Sequence, residues 1–130
     1  KLSLVDGKSA KKWLVAAWTL YAEEGNYKKA EEILERLAKI DPSYRDILAE
    51  TRRAAGRFSE SADLFMLLYR NSGSEARKKE YLLKAIQALA SGKLNSKAIA
   101  LAHTYEAHYI DDEEMMQKLI KLYLSMGELE

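Results

Sequence analysis

A chain of 130 residues can build one compact domain with a modest core, and is too short for two domains of ordinary size. Apolar residues make up 48% and charged residues 32%, which excludes a disordered chain, and the absence of cysteine excludes a disulfide framework and thiolate metal sites. Lys and Arg number 21 against 20 Asp and Glu, a net charge of +1 without the basic excess of phosphate binders, and no apolar run is long enough to cross a bilayer.

Starting at Lys1 and stopping at Glu130 just after a helix pattern, the chain reads as a segment of a longer protein. Residues 1–8 read as the tail of a preceding hairpin or as a disordered lead. From there the apolar spacing predicts helices at 9–24, 27–40, 43–55, 58–71, 75–91, 95–110 and 112–126, with no sustained period-two alternation that would mark a strand. Asp41-Pro42 reads as an N-cap followed by proline at the first helical position. Ser72 to Glu75 and Asp111 to Glu114 carry capping-box spacing, and Asn95-Ser96 supplies a cap for the sixth helix. Glu32–Arg36, Glu35–Lys39, Glu75–Lys79, Glu80–Lys84 and Glu114–Lys118 stand four apart in the favourable order and mark solvated faces.

Four short segments repeat: Gly25-Asn26-Tyr27, Gly56-Arg57-Phe58, Gly92-Lys93-Leu94 and Gly127-Glu128-Leu129. Around them one apolar template recurs. Leu14, Ala17, Trp18 and Tyr21 precede the first, and Ala30, Ile33, Leu34 and Leu37 follow it. Leu48 and Ala49, then Ser61, Leu64, Phe65 and Leu68, flank the second. Leu82, Ala85, Ile86 and Leu89, then Ala98, Leu101, Ala102 and Tyr105, flank the third. Met116, Leu119, Ile120 and Tyr123 precede the fourth. Two features break the pattern: Arg45 and Arg52 stand in template places, and Gly92 sits one residue early.

This pattern resembles the tetratricopeptide repeat (TPR), in which each repeat is an antiparallel helix pair of about 34 residues. Trp18, Tyr21, Gly25-Asn26-Tyr27, Ala30, Leu34, Leu37 and Asp41-Pro42 carry the likeness, and Met116 to Leu129 matches the first helix and turn of another repeat. The resemblance implies an all-α superhelix, a TPR-like solenoid of about three hairpins plus an unpaired C-terminal helix. Its repeats run at about 11–41, 42–73, 74–111 and an incomplete 112–130. A lone hairpin cannot bury its apolar face, so such repeats stack into one continuous core. The irregular spacing is also similar to that of periplasmic TPR arrays in bacterial exopolysaccharide exporters of the Pel type.

No residue pattern points to catalysis or to a cofactor. His103 and His108 are five residues apart, about 140° round one helix, and cannot share a ligand face. Asp111-Asp112-Glu113-Glu114 lacks the calcium-loop pattern and reads as an acidic helix start. Lys8, Lys11 and Lys12 beside Trp13 and Trp18 do not amount to a nucleic-acid patch, since Trp18 belongs to the core phase. Tyr81, Tyr105 and Tyr123 read as packing residues, whereas Tyr109 is off the template and reads as exposed at a hairpin edge.

The resemblance places a binding groove on the first helix of each hairpin. That groove would receive Lys12, Val15, Ala16 and Thr19, then Asp46, Ile47, Glu50 and Arg53, then Leu83, Lys84 and Gln87, and last Gln117, Lys118 and Lys121. The lysine/asparagine clamp by which some family members hold a C-terminal carboxylate is replaced by Val15, Thr19, Asp46 and Glu50, which disfavours that ligand. The expectation is a non-catalytic scaffold that binds a helix or extended segment of a partner protein, with no cofactor and no nucleic acid. The alternatives are a segment of an export apparatus docking periplasmic enzymes, and a spacer or self-association element acting through the C-terminal helix. Periplasm and cytoplasm are both compatible with the sequence.

Overall fold

A computed structural model describes residues 7–127, so expectations for residues 1–6 and for Glu128 and Leu129 lie outside the described residues. Seven α-helices follow one another: α1 Gly7–Glu23, α2 Tyr27–Ile40, α3 Arg45–Ala54, α4 Phe58–Asn71, α5 Glu75–Ser91, α6 Asn95–Thr104 and α7 Glu113–Met126. Single 3-10 turns at Pro42–Tyr44 and Glu106–His108 precede α3 and follow α6. No strand occurs among the described residues, and the all-α expectation holds, with neighbouring helices packed on one another.

The chain divides into two compact units, Lys1–Arg57 and Phe58–Glu130, a boundary that falls between α3 and α4. In the first unit α2 packs against both α1 and α3. Its Ala30, Leu34 and Leu37 are fully buried, spaced so that they share one face of α2. In the second unit α5 is the central element and packs against α4, α6 and α7. Leu82, Ala85, Ile86 and Ala88 of α5 are fully buried, as are Phe65 of α4 and Ala98 and Ala102 of α6.

Template places are mostly core, with one shift in α7. There Met115 and Leu119 are buried, Met116 is half-buried and Ile120 is 44% exposed, so the buried stripe is turned by about one residue from the expected one. Tyr109, read from sequence as exposed, is buried, and its hydroxyl donates to the Ala102 carbonyl at 2.6 Å. That bond crosses the point where the predicted 95–110 helix breaks: α6 ends at Thr104 and the chain turns through Glu106–His108.

The turns that follow α1 and α3 are built alike. Gly25 and Gly56 adopt left-handed φ of 76° and 85°, and the next residue donates its N–H five back, Asn26 to Tyr21 and Arg57 to Arg52. This closes the helix by satisfying its last carbonyls. After α5 the left-handed residue is Lys93, φ 60°, and Leu94 donates to Leu89. The early Gly92 thus reflects a different need. A Cβ on Gly92 would lie 2.7–2.8 Å from Phe58 Cβ, Cγ and Cδ2, so the missing side chain is the seat of Phe58.

From one left-handed residue to the next the intervals are 31 residues, Gly25 to Gly56, then 37, Gly56 to Lys93. The difference lies in helix length, since α3 has 10 residues where α5 has 17, with a connector one residue longer before α3. The turn is constant and the arms vary.

Several local expectations change. Ser74 rather than Ser72 caps α5, accepting from Arg77 N–H, while Ser72 Oγ bonds Ser74. Asp112 rather than Asp111 caps α7. Asn95 and Ser96 do not cap α6, whose N-cap is Leu94 without a side-chain bond. Of the expected i, i+4 pairs Glu114–Lys118 forms at 3.4 Å, but Lys79 turns to Asp112 and Glu35 to Arg52. The misfit Arg52 has a partner: its Nε lies 3.3 Å from the buried Glu31 carboxylate on α2.

Candidate functional site

On α1, Lys12, Ala16 and Thr19 are exposed and Val15 is half-buried. The Thr19 hydroxyl donates to the Val15 carbonyl at 2.8 Å, the local back-bond of a mid-helix threonine, so it offers mainly its methyl group. On α3, Asp46, Ile47 and Arg53 are half-buried and Glu50 is exposed, with Arg53 and Glu50 paired at 3.6 Å. Helices α1 and α3 each pack on α2.

In the second unit, Gln117, Lys118 and Lys121 are exposed on α7, while on α5 Leu83 is buried and Lys84 and Gln87 are half-buried. The Lys84 ammonium lies over the Phe65 ring at 5.9 Å from its centre, which draws it toward α4. Leu83 and Lys118 come together in an open cleft of about 380 Å³ between the first two turns of α5 and the start of α7. Lys84, Gln87, Gln117 and Lys121 do not line it.

That cleft has a floor of Ala76, Leu83 and Met115, and a rim of charges. Lys79 holds Asp112 at 3.2 Å across it, and Lys118 pairs with Glu114 at 3.4 Å on one wall. The Asp112 carboxyl is lowered from its ordinary range, first by the Met115 N–H it accepts at the start of α7 and then by Lys79. Sequence reasoning missed Ala76, Lys79 and Glu80. Extending the groove phase back from Leu83 by four, three and seven residues reaches Lys79, Glu80 and Ala76, one stripe of α5. The acidic start of α7 was legible in Asp111 to Glu114, but the bond of Asp112 to Lys79 was not, because the two are far apart in sequence.

The remaining candidates resolve into structure. Lys11 of the N-terminal basic cluster donates to Asp41 at 2.7 Å and lies over the Tyr44 ring at 5.6 Å. Trp18 meets the same ring edge-on at 6.2 Å. The Lys8 side chain lies outside the described residues. His103 faces Glu106 at 3.6 Å, whereas His108, beyond the end of α6, meets the Tyr69 ring edge-on at 5.8 Å and the Tyr105 ring at a tilt, 6.0 Å away. Among the described residues no cluster of His, Cys, Asp and Glu could hold a metal ion. No described helix is long and apolar enough to cross a membrane.

No protein-family model, curated protein or solved structure matches the chain.

Proposed function

We propose that the chain is a non-catalytic helical-repeat scaffold of the tetratricopeptide kind, which holds a helix or an extended segment of a partner protein along the first helices of its hairpins. The observation that carries this reading is the α5–α7 cleft, where an apolar floor at Leu83 and Met115 is edged by Lys79, Lys118 and carboxylates. Such a site fits one apolar side chain flanked by polar groups, the usual form of a peptide anchor. The matching left-handed turns after α1, α3 and α5 support the repeat. Reversing Lys118 and Lys121 to Glu is expected to weaken capture of specific partner proteins tenfold or more, about 1.4 kcal/mol, with the circular dichroism spectrum unchanged. Undiminished capture of the same partners would remove the groove from consideration.

The alternative proposal, which rests on the exporter-like spacing of the repeats, is a segment of an export apparatus that docks periplasmic enzymes. A signal peptide upstream and a β-barrel pattern downstream in the parent gene are the expected context, and a cytoplasmic kinase domain there would overturn it. Self-association is the second reading, supported by Ile120 and Leu124, which are 44% and 58% exposed one turn apart on α7. Light scattering is then expected to give two chains per particle, falling to one when both are changed to Glu; a single chain at high concentration removes it.

A further inference from the structure

A second cleft, of about 550 Å³, lies between α4 and α6 and shares no lining residue with the first. Both helices pack on α5, and Leu89 of α5 closes the gap between them from below. On α4 the lining residues are Ser59, Ala62, Asp63, Met66 and Arg70, and on α6 they are Lys97, Ala100, Leu101 and Thr104. Each set runs i, i+3, i+4, i+7, the spacing with which the other faces of these helices meet the core. Here Asp63, Arg70, Lys97, Ala100 and Thr104 are exposed to solvent, while Ala62, Met66 and Leu89 are buried at the bottom of the cleft. The Thr104 hydroxyl is spent on the Ala100 carbonyl at 2.8 Å, so the α6 wall presents methyl groups and Leu101, with Tyr105 at its end.

The charges of this cleft are unbalanced. Arg70 and Lys97 stand at its edges and neither forms an ion pair among the described residues, while Asp63 is the one carboxylate lining it. Lys97 also stands in the first turn of α6, where the helix dipole is positive, with no acidic residue in that turn and no side-chain cap. A cation there adds to the positive potential instead of offsetting it. Between Ser59 and Arg70 the α4 stripe is about 16 Å long, three turns of helix.

From these observations we infer that the α4–α6 cleft is a second docking surface, independent of the α5–α7 groove, for an acidic amphipathic helix of about three turns from another protein. Its apolar ridge lies over Met66, Leu89 and Leu101, and its carboxylates meet Arg70 and Lys97. Small residues at Ser59, Ala62 and Ala100 admit the close approach of a helix, and the charge pattern selects an anionic one.

The test uses the 130-residue chain and a fluorescein-labelled helical peptide of about 12 residues, with Leu and Phe on one face flanked by Glu. Fluorescence anisotropy is expected to show saturable binding. It is expected to weaken tenfold or more with Arg70→Glu/Lys97→Glu, with Ala100→Trp, which fills the cleft from an exposed position, and with a peptide carrying Gln in place of Glu. Lys118→Glu/Lys121→Glu is expected to bind the peptide as the parent does, which keeps this test separate from that of the groove. Thermal melts confirm that each variant folds. No binding by the parent chain, or equal binding by Arg70→Glu/Lys97→Glu, overturns the proposal, as does loss of binding only with Lys118→Glu/Lys121→Glu. A two-chain mass that Ala100→Trp returns to one chain would assign the cleft to a second copy and overturn it equally.

Discussion

The Nη1 atom of Arg57 lies 2.6 Å from both carboxylate oxygens of Glu31, whose side chain is only 4% exposed. Arg52 reaches the same carboxylate from the last turns of α3 and extends its other arm to Glu35 at 3.2 Å. Two arginines thus hold a carboxylate on the face of α2 that would otherwise be desolvated without compensation. Removing both, Arg52→Ala/Arg57→Ala, is expected to lower unfolding stability by about 1–3 kcal/mol, since it strands a buried charge. Glu31→Gln keeps an acceptor and should cost less. Urea denaturation ranks the two, and the reverse order would discount the network.

At the bend after α5, Lys93 takes the left-handed angle that a glycine takes after α1 and α3, and Gly92 makes room for Phe58. Gly92→Ala pushes a methyl group into Phe58 and is expected to destabilise by about 1–3 kcal/mol. Lys93→Gly relieves a left-handed backbone at φ 60° and is expected to stabilise by up to about 1 kcal/mol. Thermal or urea unfolding reads both signs, and a neutral Gly92→Ala would deny the Phe58 contact its role.

Two buried tyrosines make opposite predictions. Tyr109 donates to the Ala102 carbonyl, so Tyr109→Phe should cost about 1 kcal/mol. The Tyr69 hydroxyl is buried with no hydrogen-bond partner, so Tyr69→Phe should raise the melting midpoint. Burial pushes the Tyr109 phenol up to about 12, and Tyr69 and Tyr123 upward as well. Stability that depends on these neutral phenols is therefore complete below about pH 10 and is lost as pH rises toward about 12. Phenolate absorbance followed through an alkaline titration of the folded chain should show these residues ionising last.

At the acid end, Asp41 is held at about 2, chiefly by the Lys11 hydrogen bond and then by Ser43. Its folded value lies below the ordinary one near 3.8, so its contribution is complete above that value and is lost as pH falls toward about 2. Lys11→Met should flatten the stability profile across that window and leave the slope above pH 5 unchanged. A parent-like acid slope in Lys11→Met would dismiss the pair.

Helix positions were legible because apolar spacing and turn glycines agree. The 27–40, 58–71 and 75–91 segments fall where α2, α4 and α5 lie. The end of α6 was not legible, because Tyr105 keeps the template phase past Thr104 and nothing in the spacing marks the turn that buries the off-template Tyr109. Long-range charge pairing was likewise hidden. Glu35 and Lys79 each have a good local partner in sequence, yet they bond across helices to Arg52 and Asp112. For the candidate site, phase identified Leu83 and Lys118, but the cleft that joins them depends on how α7 lies on α5.

The contact between Phe58 and Gly92 constrains how the length of this chain can change. Losing one residue from a helix swings every later side chain about 100° round its axis. At Gly92–Lys93 such a deletion would also remove the recess that receives an aromatic ring. The Ser72–Ser74 connector carries no comparable lock, and there a lost or gained residue need only lengthen or shorten a loop. Natural length variants of this protein should accordingly accumulate between α4 and α5 and spare the bend after α5.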